Sequence, residues 1–267
     1  MNKTIKKSWI LLFVISLWGL NACQKEEIIS SEDEGLTALK DASMNTFYSS
    51  TSAVGNGVVR AFVTQDKDGV PLEVGINISA KALEKLPNEM MQYVFELPKG
   101  KGSNFYTHVL FDWNPMGHEP PGIYDLPHFD IHFYIISNEA RMDIPPMDTT
   151  YLDPAPDSKY IPPLHMELKG LVPGMGAHWV DVTSPELSGA TFTKTFIWGS
   201  YNQEFVFWEP MITREYLLSM PDEIIPIPQP EAYQKSGWYA SDYKISYSST
   251  KKQYTISLVN LMYHEAK

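Results

Sequence analysis

Pro127 to Ile136 reads PHFDIHFYII, and its alternation decides the fold. Side chains on a strand point to opposite faces with a period of two. His128, Asp130, His132 and Tyr134 therefore share one face, and Phe129, Ile131, Phe133 and Ile135 share the other. The apolar face must pack into a core. The other face either meets water as an ordinary outer surface, or lines a cleft or the inside of a barrel. Two imidazoles and a carboxylate beside Tyr134 and Ile136 make an unusual solvent face, which favours the cleft.

Strand signals extend outward in both directions. Val58 to Thr64 and Leu72 to Ser79 flank Asp66-Lys67-Asp68-Gly69, a hairpin turn with Gly69 at a left-handed position. Further strands are expected at Met91–Leu97, Phe105–Asp112, Phe129–Ile136, Thr193–Trp198 and Glu204–Met211. The last two are joined across Gly199-Ser200-Tyr201-Asn202. Tyr243–Ser248 and Tyr254–Leu261 form a closing hairpin. Two short helices are expected, Ala80–Leu86 after a Ser79 cap and before Pro87, and Thr213–Met220. Pro145–Pro163 and Pro221–Pro230 are rich in proline, which cannot donate to a ladder; they read as long ordered loops or as edges that resist pairing. The expectation is a mostly β chain: one β-barrel or β-sandwich domain, residues 36–267, with two short helices and long Pro-rich loops.

The chemistry-bearing residues cluster just ahead of and along the deciding strand. His118, Glu119, His128, Asp130 and His132 fall within fifteen residues and include three of the seven histidines. Imidazole and carboxylate together suit a divalent metal such as Zn, Cu, Fe or Mn. The loop before the strand holds Pro115, Pro120, Pro121 and Pro127, with Gly117 and Gly122 as its permissive joints, so His118 and Glu119 sit on a stiff support. Geometry limits the set. Residues four apart on a straight strand lie about 13 Å apart, so His128 and His132 do not readily share an ion without a bulge. Asp130 with either neighbour is the easier pair. Glu209, on a face with Phe205, Phe207 and Met211, is an acid among apolar residues and needs a partner. It completes the expected metal set of His118, His128, Asp130, His132 and Glu209. Glu119, His178 and Tyr134 are read as supporting or ligand-binding groups, and His108, His165 and His264 as structural. Nucleophilic chemistry finds little support: there is no G-x-S-x-G elbow, and Ser248 to Lys251 falls in a hairpin turn rather than at a helix start.

The first 22 residues have another plan. Lys3, Lys6 and Lys7 precede an uncharged, mostly apolar run from Trp9 to Leu20, too short for a spanning helix and in keeping with an export signal. Leu20-Asn21-Ala22-Cys23 contains the only cysteine and resembles a bacterial lipobox. The resemblance implies cleavage after residue 22 and acylation of Cys23, with residues 23–35 as an acidic tether. The following Gln24-Lys25-Glu26-Glu27 resembles the surface-export signal of Bacteroidota lipoproteins. It implies attachment to the outer membrane by the lipid on Cys23, on the cell surface rather than the periplasmic face. Asp148-Thr149-Thr150 resembles the short O-glycosylation site of the same bacteria. The 32 acidic residues outnumber the 21 basic ones, for a net charge of −11. The leader removes basic residues alone, so the remainder is more acidic still. That balance argues against nucleic acid, and without a second cysteine no disulfide is available.

WNPMGHEPPGIYDLPHFDIHFY, GMGAHW, FTKTFIWGSYNQEFVFWEPMIT and SGWYASDYKISY together resemble a family of exported bacterial proteins filed as a domain of unknown function, over about residues 55–260. The histidines on a strand also resemble cupins, but H-x-D-x-H without a nearby downstream Glu departs from the cupin ligand pattern. Three functions follow as expectations. The first is a surface lipoprotein that binds a small ligand through a divalent metal. The second is a metal-dependent enzyme of cupin-like type, using the ion as a Lewis acid or to activate water. The third is a metal-free component whose Tyr and Trp hold a glycan or a partner protein. A homo-oligomer is compatible with each.

Overall fold

Alternating apolar residues pair into two antiparallel sheets. The computed structural model describes residues 44–100, 105–145 and 153–267, all within the unit Ser43–Lys267. The leader, Cys23, the tether and Asp148–Thr150 lie outside the described residues. The first sheet contains β1 (Asn45–Tyr48), β2 (Ser52–Val54), β3 (Gly57–Gln65), β4 (Pro71–Ser79), β12 (Asp222–Pro226), β13 (Gly237–Ser248) and β14 (Gln253–His264). Its order is β1-β3-β4-β14-β13-β12, with β2 paired to β3. The second contains β5 (Met91–Glu96), β6 (His108–Asn114), β7 (His128–Tyr134), β8 (His165–Val172), β9 (Gly176–Asp181), β10 (Lys194–Tyr201) and β11 (Glu204–Thr213). Its order is β5-β6-β7-β11-β10-β9-β8. Both sheets keep free edges, so of the two architectures expected the chain adopts the sandwich and not the closed barrel.

One apolar core lies between the sheets. Ala61, Val63, Ile76, Ile78, Tyr243, Ile256 and Leu258 of the first meet Val109, Phe111, Phe129, Ile131, Phe133 and Trp208 of the second. Burying each large side chain here contributes roughly 1.5–3 kcal/mol. The expected apolar face of β7 is thus the inter-sheet face. The opposite face of the second sheet carries two smaller clusters, one of Tyr124, Val180, Phe192, Ile197 and Met211, the other of Leu110, Tyr134, Val206 and Phe207. All seven residues of β6 and all seven of β7 are buried. Side chains from the connecting segments, Tyr124 and Phe192 among them, pack against this face.

Several local expectations hold. Gly69 has φ +90°, and Asp66 Oδ1 accepts from the amides of Asp68 and Val70 at 2.9 Å, closing the β3–β4 turn. The β10–β11 hairpin also forms, but its turn is Asn202–Gln203, with φ +50° and +70° in the primed geometry that suits a two-residue hairpin, and the expected turn residues Gly199–Tyr201 belong to β10. Others are corrected. The helix expected over Ala80–Leu86 is a single 3-10 turn, Ala80–Leu83. Ser79 does not cap it, because its hydroxyl accepts from the Val58 amide at 2.9 Å. The two α-helices are α1 (Asn138–Met142), unforeseen, and α2 (Arg214–Leu218), shorter than expected. Ser137 Oγ accepts from Ala140 N and Thr213 Oγ1 from Tyr216 N, each an N-cap. β1, β2 and β8 are additions to the expected strands, and β9 is the strand entered at the glycine turn before His178. Part of the second proline-rich stretch is the edge strand β12, and the edge is where proline is tolerated.

Candidate metal centre

Strand register brings the polar residues together. β6 opposes β7 with His108↔Tyr134, Leu110↔His132, Asp112↔Asp130 and Asn114↔His128. β11 opposes β7 on the other side, with Phe207↔Tyr134 and Met211↔Asp130, and the same register sets Glu209 across from His132. Beyond β11, Gly199 of β10 pairs with His178 of β9. A bulge adjusts β11: Gly199 opposes Phe207 while Ser200 opposes Phe205, leaving Val206 as the extra residue. Simple alternation groups Phe205 with Glu209. The bulge instead turns Phe205 into the inter-sheet core, while Phe207 stays on the polar face.

The five expected ligands do not form one cluster. With His178 added they fall into two groups of two histidines and one carboxylate, His118–His128–Asp130 and His132–His178–Glu209. Within each, the ligand atoms lie within 4.8 Å of one another, and each could hold a metal ion. The strand spacing that sets His128 and His132 apart is the reason, and His178 joins the second group as a full member rather than a supporting residue.

In the outer group, Asp130 is the centre. Its Oδ1 lies 3.1 Å from His128 Nε2 and its Oδ2 3.3 Å from His118 Nε2. Asn114 Nδ2 donates to Oδ2 at 2.6 Å. The far nitrogens are committed elsewhere. His118 Nδ1 bonds the Glu119 carbonyl and His128 Nδ1 the Leu126 carbonyl, both at 2.7 Å. Carbonyls only accept, so both Nδ1 atoms carry hydrogen and both Nε2 atoms turn toward the carboxylate. His118 is delivered by the expected stiff loop. Gly117 has φ +71°, and a Cβ there would sit 2.0 Å from the Tyr124 carbonyl, so only glycine allows the close approach. The His118 amide donates to that same carbonyl at 3.2 Å. The His118 side chain is 32% exposed while that of His128 is fully buried, so the outer group has one open flank. Glu119 contributes its carbonyl, and its side chain is exposed.

The inner group lies deeper. His132 Nε2 is 3.3 Å from Glu209 Oε1, and His178 Nε2 is 3.8 Å from Glu209 Oε2. Asp112 Oδ2 stands 3.8 Å from His132 Nδ1. Asp112 is not among the expected residues, although the alternation His108, Leu110, Asp112, Asn114 is readable; only the register places it. Tyr134 spends its hydroxyl on the Gly174 carbonyl at 2.9 Å, and its ring stacks between His108 at 4.7 Å and His132 at 6.0 Å. Phe207 meets His132 at 5.0 Å and His178 at 5.3 Å, edge to face with both.

The two groups solve the problem of buried charge in opposite ways. Burial alone would raise Asp130, but His128 and His118 outweigh it and hold the carboxyl well below its usual range. Burial alone would lower His118, but the hydrogen bond and charge of Asp130 outweigh it and raise the imidazole. In the inner group burial wins. It pushes His132 down to about 3 and His178 down to about 4. Burial, then the charge of Asp130, pushes Glu209 and Asp112 up. His108 is also pushed down to about 4 by burial. Several buried atoms have no hydrogen-bond partner among the described residues: both nitrogens of His132, Nε2 of His128, Oδ1 of Asp130 and of Asp112, Oε2 of Glu209, and the Tyr124 hydroxyl. Such groups cost about 1–3 kcal/mol each if left so, and they concentrate on the face that carries the two groups able to hold a metal ion.

Fold and site together define an antiparallel β-sandwich with two buried groups, each of a histidine pair and one carboxylate, beneath the loops of one face. A family model described as TTHB210-like, hypothetical protein TTHB210, matches residues 66–113. The match runs from the β3–β4 turn to Trp113, taking in Asp112 but stopping before His118, and it supports an uncharacterised domain family. No curated protein and no solved structure matches the chain.

Proposed function

We propose that the domain binds one divalent transition-metal ion at His118, His128 and Asp130 and uses it to hold a small ligand. One observation carries the reading: two Nε2 atoms, each with its Nδ1 hydrogen already given to a main-chain carbonyl, face one carboxylate at 3.1 and 3.3 Å. That convergence is stable only if protons or a cation stand between them. Two imidazoles and a carboxylate suit zinc and its neighbours, whereas calcium and magnesium prefer all-oxygen surroundings. The carbonyls that fix both Nδ1 atoms are the outer partners that orient ligating histidines. Three protein ligands leave coordination positions for something else, which is the plan of exchangeable and catalytic sites rather than closed ones. The ligand would enter on the His118 flank and meet the partnerless Tyr124 hydroxyl. The same openness would let the ion activate water, which keeps the metal-dependent enzyme as the second reading.

The reading continues to the cell envelope. The basic start, the apolar run and Leu20–Cys23 support export, acylation at Cys23 and display on the outer membrane. Isothermal titration of chelator-treated protein with Zn2+, Cu2+, Mn2+ and Fe2+ tests the metal reading. Binding of at least one ion that is lost in His118→Ala supports it, and heats no larger than those of dilution for all four ions would remove it.

A further inference from the structure

We infer that His132, His178 and Glu209 hold a second divalent ion of zinc type, in a mononuclear site separate from the one at Asp130. The three residues come from three strands, β7, β9 and β11, and aim their donors at one another. The His132 and Glu209 side chains are only 1% and 2% exposed. Both ring nitrogens of His132 and Oε2 of Glu209 lack any hydrogen-bond partner among the described residues. His132 Nε2 stands 3.3 Å from Glu209 Oε1. His178 Nε2 and Glu209 Oε2 stand at 3.8 Å, too far for a hydrogen bond and well placed to flank an ion at the ~2.0–2.2 Å of zinc ligands.

The surroundings fit ligands held for a metal. With Nε2 of His132 toward Glu209, its Nδ1 stands 3.8 Å from Asp112 Oδ2, so a second carboxylate flanks the ring on its far side without bonding to it directly. Asp112, Asp130 and Glu209 bring three carboxyl groups to one buried face, so divalent charge is what the layer lacks. Phe207, itself fully buried, is wedged against both imidazoles and closes the inner group on the Tyr134 side, the side away from Asp130. The fourth position, without a protein donor among the described residues, falls to a water. Asp130 and His132 are two residues apart on one strand, a step of about 6.6 Å, whereas a shared-oxygen pair needs about 3.5–4 Å. The two groups share no residue, so no protein side chain bridges the two ions. The outer one faces ligand, and the inner one ties β7, β9 and β11 together and neutralises the floor beneath it.

Metal counting separates this inference from the outer site. Full-length protein, stripped with chelator and re-equilibrated with excess Zn2+, is desalted and its zinc measured by plasma mass spectrometry. We expect two ions per chain in the wild type and one in each of His178→Ala, Glu209→Gln and His118→Ala, with near-ultraviolet circular dichroism showing intact packing. The Co2+ form should lose one of two sets of visible bands in His178→Ala. Wild-type zinc content in His178→Ala overturns the inner site. So does a wild-type count of one that vanishes in His118→Ala, an outcome that leaves the outer site standing. A count of one that survives His118→Ala and vanishes in His178→Ala supports the inner site and removes the outer. A count of zero removes both. Should Glu209→Gln lose its packing, His178→Ala decides alone, since its side chain already reaches the surface at 15% exposure.

Discussion

Replacing Gly199 by alanine tests how tightly the polar layer is built. Gly199 lies inside β10 with no positive φ, so the demand for glycine is one of space. A Cβ placed there would stand 1.9 Å from Phe207 Cε1 and 2.0 Å from Cζ. Carbon contacts settle near 3.5–4.0 Å, so the ring must withdraw by about 1.5–2 Å, starting from the contact distances in the structure. It has nowhere to go: His132, Tyr134 and His178 surround it at 5.0, 5.1 and 5.3 Å between ring centres. Overpacking a closed site costs about 1–3 kcal/mol, and an unyielding aromatic cage puts this case near the top of that range. For a chain of this size each kcal/mol shifts the melting point by about 2–4 °C, so Gly199→Ala should lower it by roughly 6–12 °C by the same scaling. Differential scanning calorimetry on metal-free protein measures the effect. A variant melting within about 2 °C of wild type, below what even the smallest overpacking cost gives, would refute the reasoning.

Three other outcomes follow from the site. His118→Ala should abolish ligand-site metal binding and lower the metal-free melting point modestly, through the lost contact to the buried Asp130 and not through a cavity; titration and calorimetry on one preparation check both. In chelator, stability should peak in the weakly acidic to neutral range. The lowered values of His132, His178 and His108 contribute stability that is present above the unfolded histidine value near 6.5 and is lost as pH falls toward them. The raised Glu209 and Asp112 contribute stability present below the unfolded carboxyl value and lost as pH rises through their own. The sum is a maximum, and a melting curve that climbs steadily to about pH 9 without metal would contradict it. Finally, Cys23→Ser should leave the protein unacylated, shifting it from the detergent phase to the aqueous phase on cloud-point partition; unchanged partition would remove the lipid anchor from the account.

The strands that alternate strongly are legible in the sequence, and those at the margins are not. His128–Phe133 alternates polar with apolar at every step, and its faces read as they stand. β8 runs His-Met-Glu-Leu-Lys-Gly-Leu-Val with mixed, half-exposed burial, and an edge strand under so little packing demand writes no clear pattern. The helix expected after Ser79 fails because Ser79 belongs to β4 and lends its hydroxyl to β3, a tertiary contact that local capping rules cannot see. The residues of the candidate centre can be named from composition and spacing, but not their partition. Spacing along β7 sets His128 and His132 apart, and they fall in different groups. Which residues join each of them depends on Asn114 and Asp112 arriving from β6, Glu209 from β11 and His178 from β9. Val206 shows the limit most sharply: one inserted residue reverses Phe205 without any local sign.

The place of β14 has a consequence for how the molecule is made. It lies between β4 and β13, so residues 253–259 fill the edge left open by residues 73–79. A chain emerging from a ribosome or a membrane pore with its N-terminus first cannot complete that sheet until residues 253–259 have appeared. The β3–β4 hairpin must wait, its backbone groups satisfied by water or by a helper protein. Assembly is then late, slow and all at once, as a topology dominated by distant pairings dictates. Loss of residues 253–267 would leave an aggregation-prone edge rather than a smaller version of the same domain.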